Sequence, residues 1–454
     1  TAASTETTAA STETTAASTE TTAAPSGDVT TIDFWIGFTD TRLDWTKEKA
    51  AAFNEKHPEY NIQITGFKAY NDVWDATVLA VDSGQPPALI HFFEAATRQA
   101  LDAVGPDGSP YFKSVTDATA GRTEILGEPV ILDSVISAAR NYYTVNGSFY
   151  SMPWNTSSTV MFSNMEMLNA AGITEPPETW ADVTAACDAI AAIDNAPSSC
   201  ITWPNHSWFV EQSVAQQGEL LANNDNGRGA RATEVYLESA GMLAYLEWWK
   251  GLSDAGHYLY TGVQRDWDGT TAAFYAGDVA MLIYSSSDTS LITNTGNESG
   301  MDFQASFMPR NGDVDYVGNL IGGATVWMLS GLDPATEDGA LAFLNFMSNP
   351  ENAAAWHQLT GYEAITTDAI DLLESEGFFD ENPNNQVASA QLAAAAATPA
   401  AAGALLGNFV GIRDVITIAI EDILVNDLDV ATRMADAQAE AQKSLDEYEA
   451  LFGG

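Results

Sequence analysis

The sequence predicts an α/β protein built in two lobes. Residues 30–93 carry a β-α-β-α-β pattern, the signature of an open, mostly parallel sheet whose sites lie beyond the carboxyl ends of its strands. At 454 residues the chain is also too long for one ordinary core. Further on, apolar runs alternate with helical periodicities to the end of the chain.

In order, TTIDFWI (30–36) reads as a strand, followed by a helix through Trp45, Ala50 and Phe53 that His57-Pro58 stops. YNIQITGF (60–67) is a second strand, a helix runs from about Asn71 to Asp82, and PALIHFF from Pro87 is a third strand. Tyr70 and Glu94 fall at element ends. YSMPWNTSSTVMFS (150–163) looks extended with a polar centre, Asn155–Thr159, and its composition favours a solvated turn over a crossover lining a cleft. Helices are expected near Met165–Ala171, Trp180–Ile193, Ala232–Leu252 and Thr270–Ala276. The strand Val279–Tyr284 then runs into Ser285-Ser286-Ser287-Asp288, which suits an anion seat or an ordinary Ser N-cap.

From Asn319 to Thr366 the pattern is sharper. Gly322-Gly323 opens a β-branched and aromatic strand to Leu329, a turn leads to a helix from about Glu337, and Asn349-Pro350-Glu351 caps another that ends at Gly361. A bare backbone at Gly323 and a phenol at Tyr362 therefore stand at element ends, where ligand sites are usually built. Beyond lie an Ala-rich helical segment near Gln391–Ala404, Arg413 near a helix start, and a closing helix from about Ala431 to Phe452.

Charge narrows the partners. Lys plus Arg is 17 against 62 Asp plus Glu, a formal net charge of −45. Phosphate backbones and anionic lipid surfaces need clustered cations, so nucleic acid and such membranes are excluded as partners. An acidic, solvated surface suits a saline setting. No run of about 18 apolar residues exists. Residues 1–27 hold three copies of AASTETT and end at Pro25-Ser26-Gly27; with only two Ala to bury per unit they read as a disordered tether. The start at Thr, without a signal peptide, suggests that a targeting segment was removed or omitted.

No GxSxG, HExxH, Walker loop, CxxC or GxGxxG occurs, and the five His are scattered, so no catalytic or metal-ligating set and no cofactor is expected. Cys187 and Cys200 are 13 apart; the choices are a local disulfide or two buried thiols, and export would favour the disulfide. Trp203 and Trp208 flank PNHS, which suits stacking against a polyol or sugar and equally suits ordinary core.

The Asn319–Thr366 stretch, with IGGA, PENAAAWHQ and TGY, closely resembles the sn-glycerol 3-phosphate-binding proteins of bacterial ABC importers, within the larger group of extracellular sugar-type solute-binding proteins. The likeness runs from Val29 to about Tyr448 and includes FW at 34–35, PPALIHFFEAATRQA, PWNTSS, PPETW, FYAGDVAM and LGNFVGIR. It implies the two-lobed type II periplasmic-binding-protein fold, with a ligand cleft between lobes joined by crossovers. The N-lobe would be 28–157 with 317–368, and the C-lobe 158–316 with 369–454. It also implies a ligand set. Tyr70 matches the Tyr of a GNY-type motif, Glu94 the Glu after the third strand, Ser157 the second Ser of an NSS motif, and Ser285 the first Ser after the GD-x-AM strand. Gly323 matches the second Gly of IGGA, Tyr362 the Tyr of TGY, and Arg413 the Arg after LGN. Trp208 aligns readily, and Trp203 only with a gap.

The set suits the chemistry. A phosphate wants a guanidinium fork, hydroxyl donors and an open backbone N–H, and a glycerol moiety offers hydroxyls that Glu94 can accept. The expectation is an extracytoplasmic, monomeric receptor that captures sn-glycerol 3-phosphate, catalyses nothing and delivers the ligand to the permease subunits. Arg413→Ala should abolish binding with little effect on folding. The alternatives are a glycerophosphodiester such as glycerophosphocholine, a neutral oligosaccharide, or a glycan-active enzyme using an acid pair.

Overall fold

The computed structural model describes residues 29–453, and the expected tether, residues 1–27, lies outside them. Two sheets form the cores of two lobes. The strands of these two sheets, in chain order, are β1 (Thr30–Ile36), β2 (Tyr60–Gly66), β3 (Leu89–Phe93), β4 (Phe112–Lys113), β5 (Met152–Ser157), β6 (Thr159–Asn164), β7 (Ile201–Thr202), β8 (Met281–Ser285), β9 (Phe303–Phe307) and β10 (Gly322–Leu329). The first sheet is ordered β2-β1-β3-β10-β4, with β5 also on β10; the second is ordered β7-β8-β6-β9.

Alternation in β1 buries Ile32, Phe34 and Ile36. They pack against helices Thr41–Lys56 and Pro334–Met347 through Phe53, Leu341 and Phe343, while Ile90 and Phe92 meet Val73 of helix Tyr70–Asp82 in a separate cluster. The second lobe packs helices Trp180–Ile190, Ser207–Gln216, Ala240–Asp254, Phe409–Val425 and Val430–Phe452 into one core. Within it Cys187 and Cys200 are disulfide-bonded, tying a helix to the residue before β7.

The sheets, expected to be mostly parallel, are mixed. β1 is parallel to β2 and β3, but β10 runs antiparallel to β3, β4 and β5. In the second sheet only β7 and β8 are parallel. The cause is connectivity: β10 enters its sheet from the other lobe rather than through a right-handed crossover helix, so nothing forces it parallel.

The Asn155–Thr159 run is a buried crossover, not a solvated turn. Ser158 alone separates β5 of one sheet from β6 of the other. Its Oγ donates to Leu320 O at 3.1 Å and accepts from Gln391 Nε2 at 3.1 Å, and its N–H donates to Ser286 Oγ at 3.1 Å. Those partners satisfy polar groups that composition alone would send to water. The Ala-rich stretch also departs from expectation, since the helix Val387–Ala393 covers only its first three residues and residues 394–408 run irregularly past Pro399 and Gly403. Helix Ala240–Asp254 starts later than expected because Ser239 caps it, accepting from Met242 N.

Candidate ligand-binding site

A cavity of about 590 Å³ opens between the lobes, and eight of the nine residues singled out from sequence line it: Tyr70, Glu94, Ser157, Trp208, Ser285, Gly323, Tyr362 and Arg413. Each arrives by a local device. Tyr70 is the first residue of its helix and stacks on Phe93, 5.5 Å between centroids. Glu94 follows β3 directly. Ser157 and Ser285 are the last residues of β5 and β8. Ser285 Oγ also accepts from Ser287 N at 3.2 Å, so it serves as a cap as well as a wall. Tyr362 follows Gly361, whose φ of +103° ends the helix Pro350–Thr360, and lies parallel to Trp356 at 5.8 Å.

The two glycines that open β10 have separate reasons. Gly323 has φ +92°, and a Cβ there would meet Asn155 O at 1.8 Å. A Cβ on Gly322 would stand 2.3 Å from the Trp208 ring, so the bare backbone is the floor on which that indole rests. Trp208 is buried at the cavity wall, and its Nε1–H has no acceptor among the described residues.

Trp203 is not at the site. It is fully buried in the second-lobe core, stacked on Trp248 at 5.7 Å and against Trp249 and Tyr258. Trp203 directly follows β7 and points into that core, whereas Trp208 lies in the first turn of helix Ser207–Gln216 and lines the cleft.

A polar relay orders the middle of the cleft. Gly37 N–H donates to His91 Nδ1 at 3.4 Å, which leaves Nε2–H to donate to Asn155 Oδ1 at 2.6 Å, and Asn155 Nδ2 then donates to Tyr70 Oη at 3.1 Å. Burial holds His91 neutral, pushing it down to about 3, so the relay keeps one proton arrangement. Burial also raises the Tyr70 and Tyr362 phenols, which stay protonated donors.

The charge at Arg413 is the main finding that sequence did not anticipate. Its Nε donates to Glu211 Oε1 at 2.8 Å, and its Nη2 to Glu211 Oε2 at 2.6 Å and to Glu94 Oε1 at 2.7 Å. All three side chains are buried. Burial opposes the guanidinium charge, and the two carboxylates outweigh it, so Arg413 is held firmly protonated. Burial raises Glu94, with Arg413 opposing. Arg413 and Glu94 thus bridge the lobes across the cleft, and Glu211, one acid among 62, had no mark in the sequence. Asp288, part of the Ser285–Asp288 run, lines the cavity too, and Arg42, His206 and Trp267 do so unforeseen; no local spacing signals those three, because each depends on a distant segment for its place.

A model of the family described as bacterial extracellular solute-binding protein matches residues 48–429. The chain belongs to that family. The solute-binding proteins it resembles include the sn-glycerol-3-phosphate-binding periplasmic protein UgpB of Yersinia enterocolitica, 30% identical over 407 residues, 87% of this chain and 88% of the relative. The Salmonella typhimurium protein of the same name is 29% identical over the same span. Among solved structures, UgpB of Mycobacterium tuberculosis in complex with glycerophosphocholine matches with a TM-score of 0.75 at 20% identity, covering 93% of this chain and 99% of that one. The GacH receptor of Streptomyces glaucescens, solved unliganded and with acarbose, matches with a TM-score of 0.73 at 16% identity, covering 92% and 99%. These likenesses fix the two-lobed solute-binding fold. No helix among the described residues is long and apolar enough to cross a membrane, and none of their His, Cys, Asp and Glu are grouped to hold a metal ion.

Proposed function

We propose that this solute-binding protein is the extracytoplasmic receptor of an ABC importer and captures sn-glycerol 3-phosphate, or a diester of it, by lobe closure. It acts as a monomer, delivers the ligand to the permease subunits and catalyses no reaction. The lobes are taken as 28–157 with 317–368, and 158–316 with 369–454.

The observation that carries the reading is the convergence of Tyr70, Glu94, Ser157, Trp208, Ser285, Gly323, Tyr362 and Arg413 on one cavity. Hydroxyl and N–H donors dominate that wall, as a polyol phosphate requires. An enzymatic acid pair is disfavoured because Glu94 and Glu211 are both engaged on one guanidinium. The diester reading has support of its own. Trp267 meets Tyr284 edge-on at 5.0 Å, and both extend the cavity wall past Ser285 with apolar surface that a phosphate substituent could cover. Titration calorimetry with glycerol 3-phosphate, glycerophosphocholine and maltose tests the assignment. Saturable heat is expected for one or both phosphates and none for maltose at millimolar concentration; a response to maltose alone would overturn it.

A further inference from the structure

Of the 17 lysines and arginines in the chain, four line the cavity: Arg42, Lys68, Arg265 and Arg413. Arg413 is the one that sequence reasoning matched to a phosphate, yet its charge is already answered twice, by Glu211 through two bonds and by Glu94 through a third. A phosphate placed there would have to displace a buried carboxylate or lie beside two of them, and either is costly. What Arg413 and Glu94 together offer is a donor and an acceptor side by side, the complement of a polyol hydroxyl. Arg265 is paired with Asp414 on exposed surface, where water already screens it. Lys68 is exposed on the loop before helix Tyr70–Asp82.

Arg42 stands apart. Its ion-pair partner is Asp40, which is half exposed, so an incoming anion competes there against a well-hydrated carboxylate rather than a buried one. The guanidinium lies over the Phe38 ring at 4.3 Å from the centroid, which fixes its plane. The same ring faces Tyr70 at 6.2 Å and Tyr362 at 6.5 Å, so Arg42 shares a wall with both phenol donors. Ser285 and Ser287 stand on the second lobe's side of the cavity.

Resting on the glycerophosphate reading above, we infer that Arg42 is the residue that meets the ligand's negative charge, while Arg413, neutralised by Glu211 and Glu94, serves its polyol hydroxyls. Asp288 faces the same space from the second lobe without an ion pair among the described residues. It disfavours a second bare charge there, so the seat suits a singly charged phosphate, whether a diester or a monoester that keeps a proton.

The test is calorimetric titration of the full chain, wild type and variants, with glycerol 3-phosphate and with glycerophosphocholine. Arg42→Gln is expected to weaken the phosphate ligand that the wild type binds at least tenfold, with an unchanged melting temperature. Arg42→Lys, which keeps the charge and loses the fork, should fall between. Arg42→Gln binding within twofold of wild type overturns the inference, as does a tenfold loss in Lys68→Gln with Arg42→Gln unaffected. A wild-type protein that binds neither phosphate ligand removes the underlying reading instead, and so the two failures are distinct.

Discussion

Arg413→Ala is expected to cost the fold as well as the ligand. Removing the guanidinium strands Glu94 and Glu211, 4% and 1% exposed, beside each other with no counter-charge. Breaking a buried ion pair in this way costs about 3–5 kcal/mol. At about 2–4 °C per kcal/mol for chains larger than a small domain, the melting temperature should fall by roughly 6–20 °C. The effect has a pH signature. Burial already raises Glu94 in the folded protein, and the variant loses the attraction that opposed it. An acid whose folded pKa is raised contributes stability that is complete below its unfolded value and lost as pH rises through the folded one. The deficit of the variant should therefore be larger at pH 8 than at pH 5. Differential scanning calorimetry at both pH values checks this. Replacing the whole cluster, with Arg413→Met, Glu94→Gln and Glu211→Gln together, should recover much of the loss. A single variant melting within about 2 °C of wild type at pH 8 would refute the reasoning and restore the sequence expectation that Arg413 matters to binding alone.

Three other outcomes are expected. Glu363 is buried on the chain segment after Tyr362, its N–H donates to Thr156 O at 2.7 Å, Ser389 Oγ donates to its Oε2, and burial lifts it to about 7. The stability it carries is complete below about pH 4 and lost as pH rises through 7, on the order of 3 kcal/mol, so Glu363→Gln should flatten the fall in melting temperature between pH 5 and 8. Gly323→Ala forces a left-handed φ on alanine and drives a methyl into Asn155 O; a loss of about 2 kcal/mol or more in urea unfolding, together with lost binding, is expected, and wild-type stability would show that β5 yields there. Replacing Cys187 and Cys200 by Ala opens the cross-link and should cost about 3 kcal/mol in denaturant unfolding without altering ligand selectivity, because both residues lie in the second-lobe core away from the cleft.

Much of the first lobe was legible because its strands alternate or run wholly apolar between clear stops: Thr30–Ile36 has its expected bounds, and Tyr60–Gly66 and Leu89–Phe93 lie within a residue or two of theirs. The helix Pro350–Thr360 was legible for the same kind of reason, since Asn349 accepts from Asn352 N and Pro350 fills the first turn. What misled was polarity whose partners are remote. Asn155 and Ser158 look like turn residues until His91, Tyr70, Leu320 and Gln391 are brought to them. Trp203 and Trp208 are chemically identical in a one-dimensional string; the resemblance aligned Trp208 more readily, and the packing of Trp203 on Trp248 and Trp249 places it in the core. The resemblance located the cleft residues, but it could not show that Arg413 arrives already paired, because Glu211 lies 202 positions away.

A single residue, Ser158, joins β5 of one lobe to β6 of the other. A strand that passes from one lobe to the other without a loop has no slack, so groups beside Ser158 move least in any rotation of the lobes about that crossover. Ser157 is its neighbour, Gly322 pairs with Ser157, and Ser285 pairs with Thr159. Those groups sit beside the crossover, where such a rotation changes spacing least. Arg413 and Glu94 belong to different lobes, and their bond spans the cleft. The ion pair is therefore a contact that separating the lobes would break, while the pairings beside Ser158 are ones it would spare.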